Sequence, residues 1–216
     1  YSVADEGVVA FRILENGSLS RLNSAKTKGM RACHLSMDKE DRYVFVSGFH
    51  DGKATVLRLR KDGGVGEIVD GVFHKGLGSV AERNFRPHVH CVNITPDQKY
   101  LCAVDLGVDQ VKIYKFNDET GKITLVDMLR CELESAPRII KFSPDGRFAY
   151  LICELKNYIS VYSYKDGPRG PVFELVQTIS TLNEYHSKGS AACVLRFSRD
   201  WNYVLCSNAG DNSVGI

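Results

Sequence analysis

The sequence has no apolar run approaching the 18 residues that suggest a membrane-crossing helix. Nor does it favour one sign of charge. The 28 Lys and Arg stand against 26 Asp and Glu, a net of +2, so the balance gives no support to nucleic acid or an anionic membrane as partner. There is no CxxC pair, and the seven cysteines are an odd number set mostly within apolar runs such as YLCAV and YVLCS. A disulfide framework is not expected in a chain this long. The cysteines read as free, buried, small hydrophobes, and the expected compartment is the reducing cytoplasm. Phosphate-loop and dinucleotide motifs are missing, so no nucleotide cofactor is implied. No stretch of ten or more residues carries a convincing 3.6-residue period, which leaves no long helix; residues 77–85 suggest at most one short helical turn. What remains is ordinary globular composition, 44% apolar and 25% charged over 216 residues, enough for a sizeable core. The sequence opens on Tyr1 and stops at Ile216 inside an apolar, strand-like run, and it reads as a piece of something longer.

What the sequence does have is a repeat. A polar turn, an aromatic residue and a short apolar run recur as SMDKEDRYVFV (36–46), TPDQKYLCAV (95–104), SPDGRFAYLI (143–152) and SRDWNYVLCS (198–207). The anchoring aromatics are Tyr43, Tyr100, Phe148 and Tyr203, spaced by 57, 48 and 55 residues. Alternating segments follow each anchor (ATVLRLR, QVKIYKF, YISVYSY and NSVGI), and a matching one, GVVAFRI, lies near the start. Period-two alternation marks strands with two distinct faces, and the Asp-Gly, Asn-Gly and Pro-Asp pairs mark tight turns. Short apolar runs before each anchor (CHLSM, HCVNIT, RIIKFS, CVLRFS) bring the unit to four strands in about 50 residues. Such units are the blades of a β-propeller, small sheets that bury both faces only by stacking on their neighbours. The expected fold is therefore all-β: four-stranded antiparallel blades, about four of an expected seven. The chain is one partial propeller domain, with blades at about 1–35, 36–90, 91–138 and 139–193 and the start of another at 194–216. A sandwich or meander is the alternative, but it would rarely repeat one turn grammar four times.

The candidate chemistry clusters at the strand ends. The longest interruption, GVFHKGLGSVAERNFRPHVHCVNITPD, delivers Arg86, His88 and His90. Pro87 restricts Arg86 to extended backbone, and the two histidines lie two apart on a strand-like stretch, so both point to one side. Three readings stay open for this pair: a catalytic or ligand-binding imidazole, hydrogen bonding at a blade edge, and a zinc site completed from another blade. Arg138 in SAPRIIKF holds the equivalent place one blade on, at the inner end of an innermost strand, where it faces the channel and can hold an anion bidentately. Glu154 follows an apolar strand directly. His34 in ACHLS sits at the matching entrance of an earlier blade. Asp105 and Asp109 in VDLGVDQ are read either as turn caps or as polar groups at the strand exit, with a hard metal ion weighed only briefly.

These stretches resemble the seven-bladed lactonase propeller family, which contains bacterial 6-phosphogluconolactonases and fungal carboxymuconate lactonizing enzymes. The matching segments are GMRACHLSMD, the FHDG turn at 49–52, RPHVHCVNITPD, VDLGVDQVKIY, APRIIKFSPDGRFAYLICELKNYISVY and CVLRFSRDWNYVLCSNAGDNSV, over essentially the whole chain. The resemblance implies a catalytic set of His90, Arg138 and Glu154, with His34, Arg86, His88 and Asp105 lining a substrate pocket. It implies lactone hydrolysis without cofactor or metal, most simply 6-phosphogluconolactone to 6-phosphogluconate in the pentose phosphate pathway. The partner is then a small anionic lactone or sugar acid. Nothing in the sequence sets an oligomeric state. Three positions depart from the family pattern: Ala209 replaces the arginine of an SNR motif, Ile139 the histidine of a PRH motif, and Ala32 a proline before the CH pair. The lost arginine removes one cationic donor from the channel. Two alternatives follow: another lactone hydrolase or cycloisomerase, and a non-catalytic propeller binding a ligand or protein.

Overall fold

A computed structural model describes residues 1–4, 6–79 and 84–216. The described strands form five separate antiparallel meanders. The first holds β1 (Ser2–Ala4), β2 (Gly7–Ile13) and β3 (Leu19–Lys26). The second holds β4 (Ala32–Met37), β5 (Tyr43–Gly48), β6 (Lys53–Leu59) and β7 (Val65–Phe73). The third holds β8 (Val89–Ile94), β9 (Tyr100–Asp105), β10 (Gln110–Phe116) and β11 (Ile123–Arg130), with a 3-10 turn, Leu106–Val108, between β9 and β10. The fourth holds β12 (Pro137–Phe142), β13 (Phe148–Cys153), β14 (Tyr158–Gly167) and β15 (Gly170–Ser180). The fifth holds β16 (Ala191–Phe197), β17 (Val204–Ala209) and β18 (Ser213–Gly215). Successive innermost strands β1, β4, β8, β12 and β16 touch one another, while the outer strands β11 and β15 expose Leu125 and Leu175. This is a β-propeller arrangement.

The blade count differs from the expected four. The expected cuts at 35, 90, 138 and 193 fall inside β4, β8, β12 and β16, and each of these strands pairs with the sheet that follows it. Assigning each innermost strand to the following sheet gives the last segment three strands, so five blades are present. Of the helical turn expected at 77–85, residues 80–83 lie outside the described set, and 77–79 and 84–85 are not helical. No helix among the described residues is long and apolar enough to cross a membrane.

The turn grammar has a direct physical basis. Thr95, Ser143 and Ser198 each donate a hydroxyl hydrogen bond to the aspartate two residues on, at 2.5–2.6 Å. The same hydroxyls accept the backbone N–H of Tyr100, Phe148 and Tyr203, each at 3.0 Å. In the second blade the buried Asp38 takes the hydroxyl's place, its carboxylate accepting Arg42 N and Tyr43 N. The fourth residue of each turn is left-handed: Asp41, Gln98, Gly146 and Trp201. Gly146 alone adopts that conformation without a side-chain cost.

Strand alternation then builds the core. Val44 and Val46 pack against the first blade, with Val8 and Ala10. Their neighbours Tyr43 and Phe45 turn the other way and meet Phe116 of the third blade edge-on, at 5.4 and 5.0 Å. A third cluster joins blades three to five through Cys102, Ile140, Leu151 and Leu195. Each fully buried side chain of this kind contributes about 1.5–3 kcal/mol. All seven cysteines are free thiols, four of them buried.

Candidate active site

Each innermost strand in blades two to five carries a β-bulge at its entrance. The register shifts fall between Ala32 and His34, Val89 and Cys91, Pro137 and Ile139, and Ala192 and Val194. A bulge re-aims one side chain out of the ladder. The re-aimed residues are Cys33, His90, Arg138 and Cys193. Cys33, His90 and Arg138 line a single cavity of about 600 Å³, joined by Phe49 and Glu154 from the ends of β5 and β13 and by Arg31 and His50 at its margin. Blades two and four supply cavity side chains from both the bulge and the exit of the second strand, and blade three from the bulge alone.

His90 is held from several sides. Ser47, fully buried on β5, donates to its carbonyl at 3.1 Å, and the Phe49 ring meets its imidazole edge-on at 6.0 Å. Its Nδ1 is buried and has no hydrogen-bond partner among the described residues. Burial, then the neighbouring Arg138 and His34, push its pKa down to about 3. The imidazole is therefore neutral near pH 7. Arg138 donates from Nη1 to Glu154 Oε2, and its buried Nε has no partner among the described residues. Glu154 is 1% exposed. Its backbone bonds to Ala136 O at 2.8 Å and accepts from Ala192 N at 3.1 Å, which fixes it between blades four and five.

The other expected site residues lie elsewhere. His34 sits one residue past the bulge, with Nε2 3.7 Å from Cys91 Sγ, and does not line the cavity. Cys33, not His34, holds the bulge position that His90 and Arg138 hold in their strands. Burial of the Cys33 thiol raises its pKa, so it stays protonated. Arg86 is exposed, 5.7 Å from the Phe85 ring, and also lies outside the lining. His88 donates from Nδ1 to Phe49 O at 2.7 Å and stacks on the Phe49 ring at 4.3 Å, so it supports the wall rather than facing the cavity. That arrangement leaves no paired imidazoles for zinc, and no cluster of three or more ligating side chains occurs among the described residues.

Asp105 is likewise a support. Fully buried, it accepts His88 N at 2.8 Å, Gly107 N at 3.1 Å and His74 Nδ1 at 2.6 Å. Asp109, in left-handed backbone, accepts Glu134 N and Ala136 N at 2.8 Å and Asn84 Nδ2 at 3.0 Å. Each carboxylate thus fixes the residue two before a cavity side chain: His88 before His90, Ala136 before Arg138. Gly107 between them is required, since a Cβ there would overlap the Arg86 carbonyl oxygen. The DLGVD segment positions the site without lining it. Cys33, Phe49, Arg31, His50 and the buried His74 were not among the expected site residues. For Cys33, the one usable signal was its alignment with His90 and Arg138, counted back from the repeated turn.

Burial and the nearby Lys141 and Arg196 also push the pKa of His34 down, to about 4. Both imidazoles are neutral in the fold and return to an ordinary value of about 6.5 on unfolding. Below that value the unfolded chain binds more protons, so stability is full above about pH 6.5 and falls as the pH drops toward 4. The urea midpoint is expected to be lower at about pH 5 than at about pH 7, and His34→Gln to remove part of that difference. A midpoint unchanged between the two pH values would contradict the burial of these groups as neutral species.

A propeller whose blades send one imidazole, one guanidinium and one carboxylate into a common cavity belongs to a recognisable class. The whole chain, residues 1–216, matches the model of the lactonase, seven-bladed β-propeller family, and the chain belongs to that family. Among curated relatives, a 6-phosphogluconolactonase of Bacillus subtilis is 31% identical over 211 residues, covering 97% of this chain and 59% of its own length. A solved Pseudomonas aeruginosa periplasmic gluconolactonase superposes with a TM-score of 0.86 at 27% identity, over 98% of this chain and 59% of that one. A Lactobacillus plantarum protein gives 0.85 at 28% identity, over 96% and 59%. The chain spans about three-fifths of the length of the curated relatives it matches.

Proposed function

We propose that the protein hydrolyses a sugar-acid lactone, in the first instance 6-phosphogluconolactone to 6-phosphogluconate. The observation that carries this is the convergence of His90, Arg138 and Glu154 on one cavity, whose volume lies within the ~300–1,000 Å³ range of small-molecule sites. Glu154 takes a proton from water as the water oxygen attacks the ring carbonyl. Arg138 stabilises the oxyanion of the tetrahedral intermediate. The acyl–oxygen bond of the ring then breaks, and the proton passes from Glu154 to the departing ring oxygen. His90, a neutral imidazole because burial and Arg138 push its pKa down, orients the water. The seven free thiols support a reducing cytoplasm as the compartment, though the Pseudomonas aeruginosa relative is periplasmic.

The test is a pH-stat assay of the full-length protein on 6-phosphogluconolactone and on unphosphorylated gluconolactone. Base uptake well above the spontaneous rate is expected with at least one of them. If both open at the uncatalysed rate, the lactonase reading fails. The position of Ala209 favours keeping a binding propeller as the second reading. It ends β17, exposed and outside the cavity lining, so the cavity lacks the second arginine that the family pattern puts there. Tight binding of a sugar acid without turnover would establish that reading instead.

A further inference from the structure

We infer that Arg31 is the anion anchor of this cavity, selecting lactones that carry a phosphate ester outside the ring. The inference rests on the lactonase reading above and names its substrate class.

The argument starts from charge. Among the described residues three charged side chains line the cavity: Arg31, Arg138 and Glu154. Arg138 donates to Glu154 at the end where the carbonyl would react. The imidazole of His90 is neutral. In the reading above the remaining donors of Arg138 serve the oxyanion, so a second anionic group is met by another cation. Arg31 is exposed, lines the cavity, and has no ion-pair partner among the described residues. Among the described lining residues it is the cation left to meet a phosphate, and a guanidinium suits the paired oxygens of that group.

Position supports the same reading. Arg31 ends the connection from β3 to β4, on the side of the cavity formed by the first two blades, with Val3 and Ala4. Arg138 and Glu154 belong to the fourth blade. A ligand spanning the cavity would keep its reacting carbonyl and its anionic substituent apart.

The backbone that carries Arg31 is fixed on both sides. Lys53, 8% exposed, donates from Nζ to Thr27 O at 2.7 Å and Lys28 O at 3.1 Å. Thr27 donates from Oγ1 to Glu6 O at 2.9 Å. Asp51 accepts Met30 N at 2.7 Å and lies so close to Gly29 and Gly48 that a Cβ at either would collide with its carboxylate. Ala32 pairs with Gly48. A buried lysine and a carboxylate therefore hold a short loop whose long terminal side chain remains uncommitted. This arrangement presents a cation to a ligand rather than stabilising the fold through it.

The test compares full-length wild type, Arg31→Ala and Arg31→Lys on 6-phosphogluconolactone and gluconolactone. In R31A the ratio of kcat/KM for the phosphorylated over the unphosphorylated lactone is expected to fall about 10–100-fold, mainly through KM, as for loss of a charged hydrogen bond. R31K should retain part of the ratio. The wild-type ratio should also decline with added salt. A ratio that moves less than fivefold in R31A overturns the assignment. If the wild type opens neither lactone, the lactonase reading has failed separately, and calorimetry with 6-phosphogluconate and gluconate decides the anchor. A wild-type preference for the phosphorylated acid that R31A abolishes supports it; no preference, or one that survives in R31A, overturns it.

Discussion

Replacing Arg138 with alanine is expected to lower kcat on the preferred lactone by about 10²–10³, the loss typical of removing one well-placed oxyanion donor. The expectation follows from where the guanidinium sits. A β-bulge turns it out of β12 into the cavity, Asp109 holds the backbone two residues before it, and Glu154 sets its orientation through Nη1. Its Nε is buried with no acceptor among the described residues. A donor in that state gains most when negative charge develops beside it, because no bond has to be broken first. The kinetic parameters distinguish this role from ground-state anchoring. Loss confined to KM would mean that Arg138 binds the substrate and transition state equally. Loss in kcat places it at the oxyanion. Arg138→Lys keeps the charge but not the planar fork, and should recover only part of the rate. A kcat within threefold of wild type for R138A, in protein that melts normally, would remove Arg138 from the chemistry.

How much of this was legible in the sequence depends on the range of the interaction involved. The turn built on Thr95, Asp97 and Tyr100 is local, its hydrogen bonds closing within five residues, so its grammar is visible as a repeat. His90 and Arg138 could be aligned because they occupy one position of that repeat. Glu154 was visible because a charged residue directly follows an apolar strand. His34 was expected where Cys33 stands on residue type rather than on count; counted back from the anchoring aromatics Tyr43, Tyr100 and Phe148, the repeat aligns Cys33 with His90 and Arg138. Asp105 was misread for a different reason. A carboxylate at a strand exit looks the same in sequence whether it faces a ligand or three buried donors, and one of those donors, His74, lies 31 residues away. Blade membership followed the same logic. The expected cuts, placed just ahead of the anchors, fall inside the innermost strands, which belong whole to the sheets that follow them.

Glu154→Gln is the complementary substitution, and it separates the two partners of the ion pair. The amide has nearly the same shape but cannot take a proton from water, so kcat is expected to fall by about 10²–10⁴, the usual contribution of a positioned general base. Binding should move the other way. With the carboxylate gone, Arg138 is released from its charged partner and faces the cavity as an uncompensated cation. The affinity for the anionic product should therefore rise severalfold while turnover falls. This opposite movement is the informative result, because a merely misfolded site loses both. R138A and E154Q touch one hydrogen-bonded unit, so their losses should not add: the double variant is expected to be little slower than the worse of the two. If E154Q kept kcat within threefold of wild type, the proton would have to be accepted elsewhere. His90, with its pKa pushed down to about 3, would then have to rise several units once substrate displaces water from the cavity. In that case His90→Gln should abolish turnover while E154Q leaves it standing, which reverses the order expected from the geometry of the free protein.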